Sequence, residues 1–157
     1  MKTLVVYYSR TGFTKKLALA LAAKLQADTE ELVDNTSRKG IMGWLKGGRD
    51  AVKKFMTVIS PAQKDPAQYD LVVVGSPVWA GTMAPALRTY LTQQKAKVKK
   101  SACFCTMGGY GDQGLFSQVE DILGQKALAT LTVRTKQVAG SQYAAELDRF
   151  AEQISRQ

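Results

Sequence analysis

Short, continuously apolar runs alternate with helically patterned stretches along the whole of this chain, and that alternation most constrains its fold. The clearest run, Asp70-Leu71-Val72-Val73-Val74-Gly75, is apolar from Leu71 to Val74, as in a strand buried on both faces of a sheet. Similar runs place strands at 3–8, 29–34, near 100–106 and near 128–134. Apolar residues at spacings of three and four, such as Leu17, Leu21 and Leu25, place helices at 13–26, 84–93, near 115–124 and near 142–155. Strand–helix order repeated five times predicts an α/β fold, with a five-stranded parallel sheet, helices on both faces and right-handed crossovers. The 157 residues are about one domain's worth, so residues 1–157 are read as a single domain. No internal repeat or linker interrupts it.

The longest connection is 35–69. Within it Ile41, Trp44, Leu45, Val52, Phe55, Met56 and Ile59 recur at helical spacing, which predicts one amphipathic helix with its apolar stripe packed on the sheet. Lys39, Lys46, Arg49, Lys53 and Lys54 fall on its other face. Gly43, Gly47 and Gly48 weaken the helix, each by up to about 1 kcal/mol against Ala. They allow a kink, close helix–sheet packing or a mobile segment.

In a parallel sheet of this kind, ligands bind at the carboxyl ends of the strands where the strand order reverses. The loop after the first strand reads Ser9-Arg10-Thr11-Gly12-Phe13-Thr14 and leads directly into a helix. Backbone amides at a helix N-terminus and the helix dipole favour an anion, the hydroxyls of Ser9, Thr11 and Thr14 add donors, and Gly12 permits a positive φ. The same residue types also serve as ordinary N-caps. The spacing is neither that of a Walker A loop nor Gly-x-Gly-x-x-Gly. Two later loops, Gly75-Ser76-Pro77-Val78-Trp79-Ala80-Gly81-Thr82 and Thr106-Met107-Gly108-Gly109-Tyr110-Gly111-Asp112-Gln113-Gly114, each set one large aromatic among small residues. Either Trp79 plugs the sheet end and Tyr110 sits in a mobile turn, or the pair flanks a slot for a planar ring.

The chain has no histidine, which removes the commonest general base and metal ligand, so its chemistry is expected to belong to a bound cofactor. Cys103 and Cys105 are read as two small buried thiols, too few ligands for a zinc site. The net charge of +9 favours anionic partners. No apolar run approaches the roughly 20 residues of a membrane span. Met1-Lys2-Thr3 leads into the first strand without a secretory-signal pattern, so the expected compartment is the cytoplasm.

The gapless match of Ser9–Thr14 to Ser/Thr-x-Thr-Gly-x-Thr, followed by the two aromatic loops in order, resembles the flavodoxin family over essentially the whole chain, in its short-chain form. The resemblance implies a three-layer sandwich with strand order 2-1-3-4-5 and FMN as cofactor. It implies that Ser9, Arg10, Thr11, Gly12, Phe13 and Thr14 hold the FMN phosphate. Ser76, Pro77, Val78, Trp79 and Gly81 would line one ring face, and Thr106, Gly108, Gly109, Tyr110 and Asp112 the other face and the edge. The implied activity is electron transfer between redox partner proteins docking near the exposed flavin edge.

Two features depart from the family. Flavodoxins are typically acidic, and a basic chain should disfavour the anionic reduced flavin less, giving a less negative low-potential couple. The residue after Trp79 is Ala80 where many flavodoxins have glycine, and a positive φ there costs about 1 kcal/mol or more. The second departure favours two-electron chemistry, so an FMN-dependent NAD(P)H reductase of quinones, nitro or azo compounds is the alternative, with the basic 39–54 face attracting NADPH or an acidic reductase. A third class, a basic non-flavin module binding nucleic acid or anionic membrane, would draw on Lys95, Lys97, Lys99 and Lys100, but no nucleic-acid-binding motif is visible.

Overall fold

A computed structural model describes residues 1–156. Five strands form the expected parallel sheet: β1 (Thr3–Tyr7), β2 (Asp28–Glu31), β3 (Leu71–Trp79), β5 (Ser101–Met107) and β6 (Thr130–Arg134). Their order is β2-β1-β3-β5-β6, which in parallel strands alone is 2-1-3-4-5. A sixth strand, β4 (Thr82–Met83), pairs antiparallel with the end of β3. The sequence reading missed it because Ser76, Pro77 and the small residues beyond look like a loop. Instead β3 runs past its last partner on β1, Gly75 opposite Tyr7, and folds back on itself as a hairpin. Pro77 is tolerated because it lies in this overshoot, where β1 no longer pairs.

Successive strand residues point to opposite layers. Val5, Tyr7, Val73 and Phe104 pack against α1 (Phe13–Leu25), α5 (Thr135–Ala139) and α6 (Ala144–Ser155). Leu4, Val6, Val74, Cys103 and Cys105 pack against α3 (Pro85–Gln94) and α4 (Asp112–Leu123). Both thiols are buried and free. Leu17, Leu21, Leu87 and Leu91 are fully buried, and each contributes about 1.5–3 kcal/mol by leaving water.

The 35–69 connection corrects the sequence reading. Its helix, α2, spans only Gly40–Val52, and its apolar stripe is not packed on the sheet. The residues buried are Gly43, Gly47, Asp50 and Ala51. Ile41, Trp44, Leu45 and Val52 are exposed, as are Phe55 and Met56 beyond the helix, while only Ile59 is partly buried against the core.

A buried ionic cluster explains the inversion. Arg38, 5% exposed, donates to Asp34 at 3.1 Å and to Asp50 at 2.6 Å. Arg49 closes on the other Asp50 oxygen at 2.8 Å. Thr57 and the Thr36 amide complete the coordination of Asp34. Carboxylates removed from water must face their partners, so Asp50 faces inward and the residues a third of a turn away face out. The glycines allow the close approach: a Cβ on Gly47 would stand 2.9 Å from the Trp79 ring, and one on Gly43 would clash with the Arg38 backbone.

Candidate functional site

The first loop leads into an uncapped helix end. Gly12 takes φ 98° as the N-cap of α1, and no side chain caps the helix. The first-turn amides of a helix have no partner within it, and here they open beside exposed Thr11. Ser9 Oγ accepts from the Gly12 amide at 3.1 Å and fixes the bend. The first turn contains no acid and carries Lys15 and Lys16, the reverse of what the bare dipole prefers and the right sign for an anion. Lys15 is paired with Glu31 at 2.7 Å, and Lys16 donates to Ser141.

Thr14 is buried, and its hydroxyl meets that of Thr106 at 2.8 Å. This bond ties the first loop to the end of β5. Arg10 turns the other way, donating to the carbonyls of Arg38 at 2.8 Å and Gly40 at 3.2 Å. Its guanidinium therefore fastens the loop to the start of α2. Tyr8, Ser9, Arg10 and Thr11, with residues 31–40, line a hollow of about 680 Å³ beside β1 and β2. Burial, with Asp34 nearby, pushes the Tyr8 phenol up to about 12, so it stays neutral.

The second loop is the hairpin. Its two-residue turn places Ala80 at φ 49° and Gly81 at φ 77°, the double left-handed geometry favoured between twisted strands. Ala80 adopts this despite its Cβ, at a cost of about 1–2 kcal/mol. Trp79 is braced on two sides: edge-to-face with Tyr8 at 5.5 Å between ring centres, and covered by Gly47 of α2. Val78 is half-buried beside it. Ser76 is fully buried, its hydroxyl accepting from the Ala84 amide and donating to the Pro77 carbonyl, so its side chain serves the hairpin rather than an open surface. Pro77 pairs with Thr106 in the register of β3 and β5.

The third loop touches the second. A Cβ on Gly111 would stand 2.4 Å from Gly81 Cα, and one on Gly114 would stand 2.7 Å from the Gly81 carbonyl. These three glycines form the seam between the loops. Gly111 also caps α4 at φ 108° with no side-chain cap, so a second helix begins at the site. Gly108 and Gly109 are exposed, and their carbonyls accept from Arg134. Tyr110 is 86% exposed at the loop tip. Asp112 is engaged, accepting from Thr132 at 2.7 Å.

The three predicted loops thus meet at one end of the sheet through Thr14–Thr106 and the glycine seam. Of the predicted residues, all but Thr14, Ser76 and Thr106 have at least part of their surface open, Arg10, Phe13, Pro77 and Asp112 being half-buried among them. Thr14, Ser76 and Thr106 are buried supports. The sequence reading missed Arg38, Asp34 and Asp50, which anchor α2 over Trp79, and Arg134, which holds the glycine loop. Arg134 ends β6 opposite Met107, a position that the strand pattern could have flagged.

The chemistry available is binding and shaping. Nearby carboxylates are held by Arg38, Thr132 or Lys15, and the Cys105 thiol is pushed up to about 12, mainly by burial. Among the described residues no cluster of potential metal ligands exists, and no helix is long and apolar enough to cross a membrane.

No protein of curated function is matched by its sequence. Among solved structures, a flavoprotein from Lactobacillus acidophilus NCFM, crystallised in complex with FMN, superposes with TM-score 0.76 at 24% identity over 96% of this chain and 98% of that one. Two-electron reduced Megasphaera elsdenii flavodoxin aligns with TM-score 0.64 at 17% identity, covering 99% of both chains. A WrbA-like flavodoxin protein from Agrobacterium tumefaciens gives 0.57 at 16% identity, over 99% and 97%. At these identities the likeness establishes the fold, whereas the sequence profile of the family described as Flavodoxin matches residues 2–154. With that match running nearly end to end, and the Ser9–Thr14 turn at the reversal of strand order, the chain belongs to the flavodoxin family.

Proposed function

We propose that this protein binds FMN at the three-loop site and carries electrons between redox partners. One observation carries the reading most: the uncapped, left-handed Gly12 end of α1, at the point where strand order reverses and beside two aromatic-bearing loops. The residues present fit the cofactor. An uncapped helix end with no first-turn acid suits a dianionic phosphate, and Ser9, Thr11 and the amides following Gly12 would hold it. Trp79, Val78, Tyr110 and the exposed glycines would border the ring. Bound FMN supplies the redox chemistry. The chain positions it and has no histidine to carry a proton, which suits electron transfer without proton relay by the protein. The FMN bound by the Lactobacillus acidophilus flavoprotein supports the same choice.

The second reading is an FMN-dependent NAD(P)H oxidoreductase. Open space around Gly108 and Gly109 and the exposure of Tyr110 favour it, since a second planar substrate has access from that side. The test is fluorescence titration with FMN, followed by anaerobic mixing of the complex with NADPH and NADH. Thr11→Ala should weaken FMN binding by roughly 1.5–3 kcal/mol, the value of a hydrogen bond to a charged group. Unchanged affinity would remove the phosphate assignment. Fast bleaching by either nicotinamide would establish the reductase, and its absence leaves the carrier.

A further inference from the structure

At about 100° per residue, the side chains of α2 fall into three sectors. Gly43, Gly47, Asp50 and Ala51 face the protein. Lys39, Lys46, Arg49 and Lys53 form a basic sector from the N-cap to the C-cap. Ile41, Trp44, Leu45 and Val52 form an apolar sector, continued past the helix by Phe55 and Met56. These six residues are between 47% and 80% exposed. Isolated exposed apolar residues need no explanation, but a contiguous group of this size marks an interaction surface.

We infer that this face of α2 docks the protein onto an anionic lipid surface. A helix lying in a bilayer interface presents Trp, Phe and Leu on one side and Lys or Arg beside them. The sectors of α2 have that arrangement, already fixed in orientation by the buried Asp50–Arg38 pair. Of the sector's cations only Arg49 is in an ion pair among the described residues, with Asp50. The lysines remain available to an anionic surface, and the net charge of +9 adds long-range attraction. A second copy of this chain is disfavoured as the occupant, because face-to-face packing would juxtapose two lysine sectors. An acidic protein would satisfy the charge, but the lengthwise division of one helix into an exposed Trp, Leu and Val sector and a Lys and Arg sector is the pattern of a helix lying in a bilayer interface. The face lies next to Trp79, so docking would bring the three-loop end of the sheet to the membrane surface.

The experiment is co-sedimentation of the full chain, supplied with FMN, with phosphatidylcholine vesicles with and without phosphatidylglycerol. Binding should require phosphatidylglycerol, fall roughly tenfold or more as salt is raised, and shift tryptophan emission to the blue through Trp44. The variant Leu45→Ser/Phe55→Ser should lose binding about tenfold while keeping the wild-type melting temperature. No sedimentation with phosphatidylglycerol vesicles overturns the inference. So does equal binding by the serine variant, which would mean adsorption by charge alone. A dimer dispersed by the same substitutions would assign the face to a second copy. Competition by soluble polyglutamate as strong as that by vesicles would assign it to an acidic protein. Either result also overturns lipid docking.

Discussion

Helices α1 and α2 are both 13 residues long and both follow a strand on the same side of the strand-order reversal, yet they bury opposite kinds of residue. The inner face of α1 is Leu17, Ala18, Leu21 and Ala22, the face its periodicity announces. The inner face of α2 is two glycines, an aspartate and an alanine, and the face its periodicity announces points outward. Periodicity reports which residues share a face. Which face turns inward depends on what waits there. For α1 it is the apolar layer of Val5, Tyr7 and Val73, and for α2 it is a buried arginine and the flat side of Trp79.

The contrast can be broken from the α2 side first. Asp50→Ala leaves Arg38 with only Asp34 and strands part of its charge in the interior, which should cost about 3–5 kcal/mol in urea unfolding. Burial works against the charge on Asp50, but the bonds from Arg38 and Arg49 outweigh it and hold the carboxyl below its ordinary 3.8. Its contribution is therefore complete well above pH 3.8 and is lost as pH falls through the lower folded value. The stability gap between wild type and Asp50→Asn should accordingly begin to narrow as pH falls past 3.8 and close only below the lower folded value. A gap that persists there would remove the ion pair as the reason for the orientation of α2.

On the α1 side, Leu21→Ala should cost about 2–5 kcal/mol, the loss of a fully buried side chain plus its cavity. Gly47→Ala should cost about 1–3 kcal/mol by overpacking against Trp79, even though alanine is the better helix former. It should also alter Trp79 fluorescence. The smallest effect sharpens the comparison most: Leu45→Ala, chemically identical to Leu21→Ala, should fall within about 0.5 kcal/mol of wild type because Leu45 is half in water. Comparable losses at positions 21 and 45 would mean that the apolar side of α2 is buried after all.

Most of the fold was legible because its cues are local. Runs such as Leu71–Val74 are apolar on both sides of the pleat, and the turn Ser9–Thr14 sits between a strand and a helix in consecutive residues. Three things were not legible, each for a nonlocal reason. The inversion of α2 depends on Asp34, Arg38 and Asp50, whose meeting requires the loop between them to close. The continuation of β3 through Pro77 depends on the return strand at Thr82, which no alternation marks in two residues. The glycine seam needs Gly81 and Gly111, thirty residues apart in sequence, to arrive at one place. At the candidate site the sequence showed which loops meet. It could not separate the open residues, such as Thr11 and Tyr110, from the supports, such as Ser76 and Thr106, because small hydroxyl residues serve either purpose.

The two thiols of β5 carry one more consequence. Cys103 and Cys105 lie on an interior strand, between β3 and β6, and burial pushes both upward, Cys103 well above its ordinary value and Cys105 to about 12. Thiolate, not thiol, attacks an alkylating reagent, so neither buried sulfur reacts while the sheet is closed. The chain has no other cysteine. The rate at which a reagent labels the native protein is then a clock on rare opening around β5, set by the open-state population when reclosing is fast. Without any added probe, that clock times how often the middle of the molecule comes apart, and how far a bound ligand at its edge slows it.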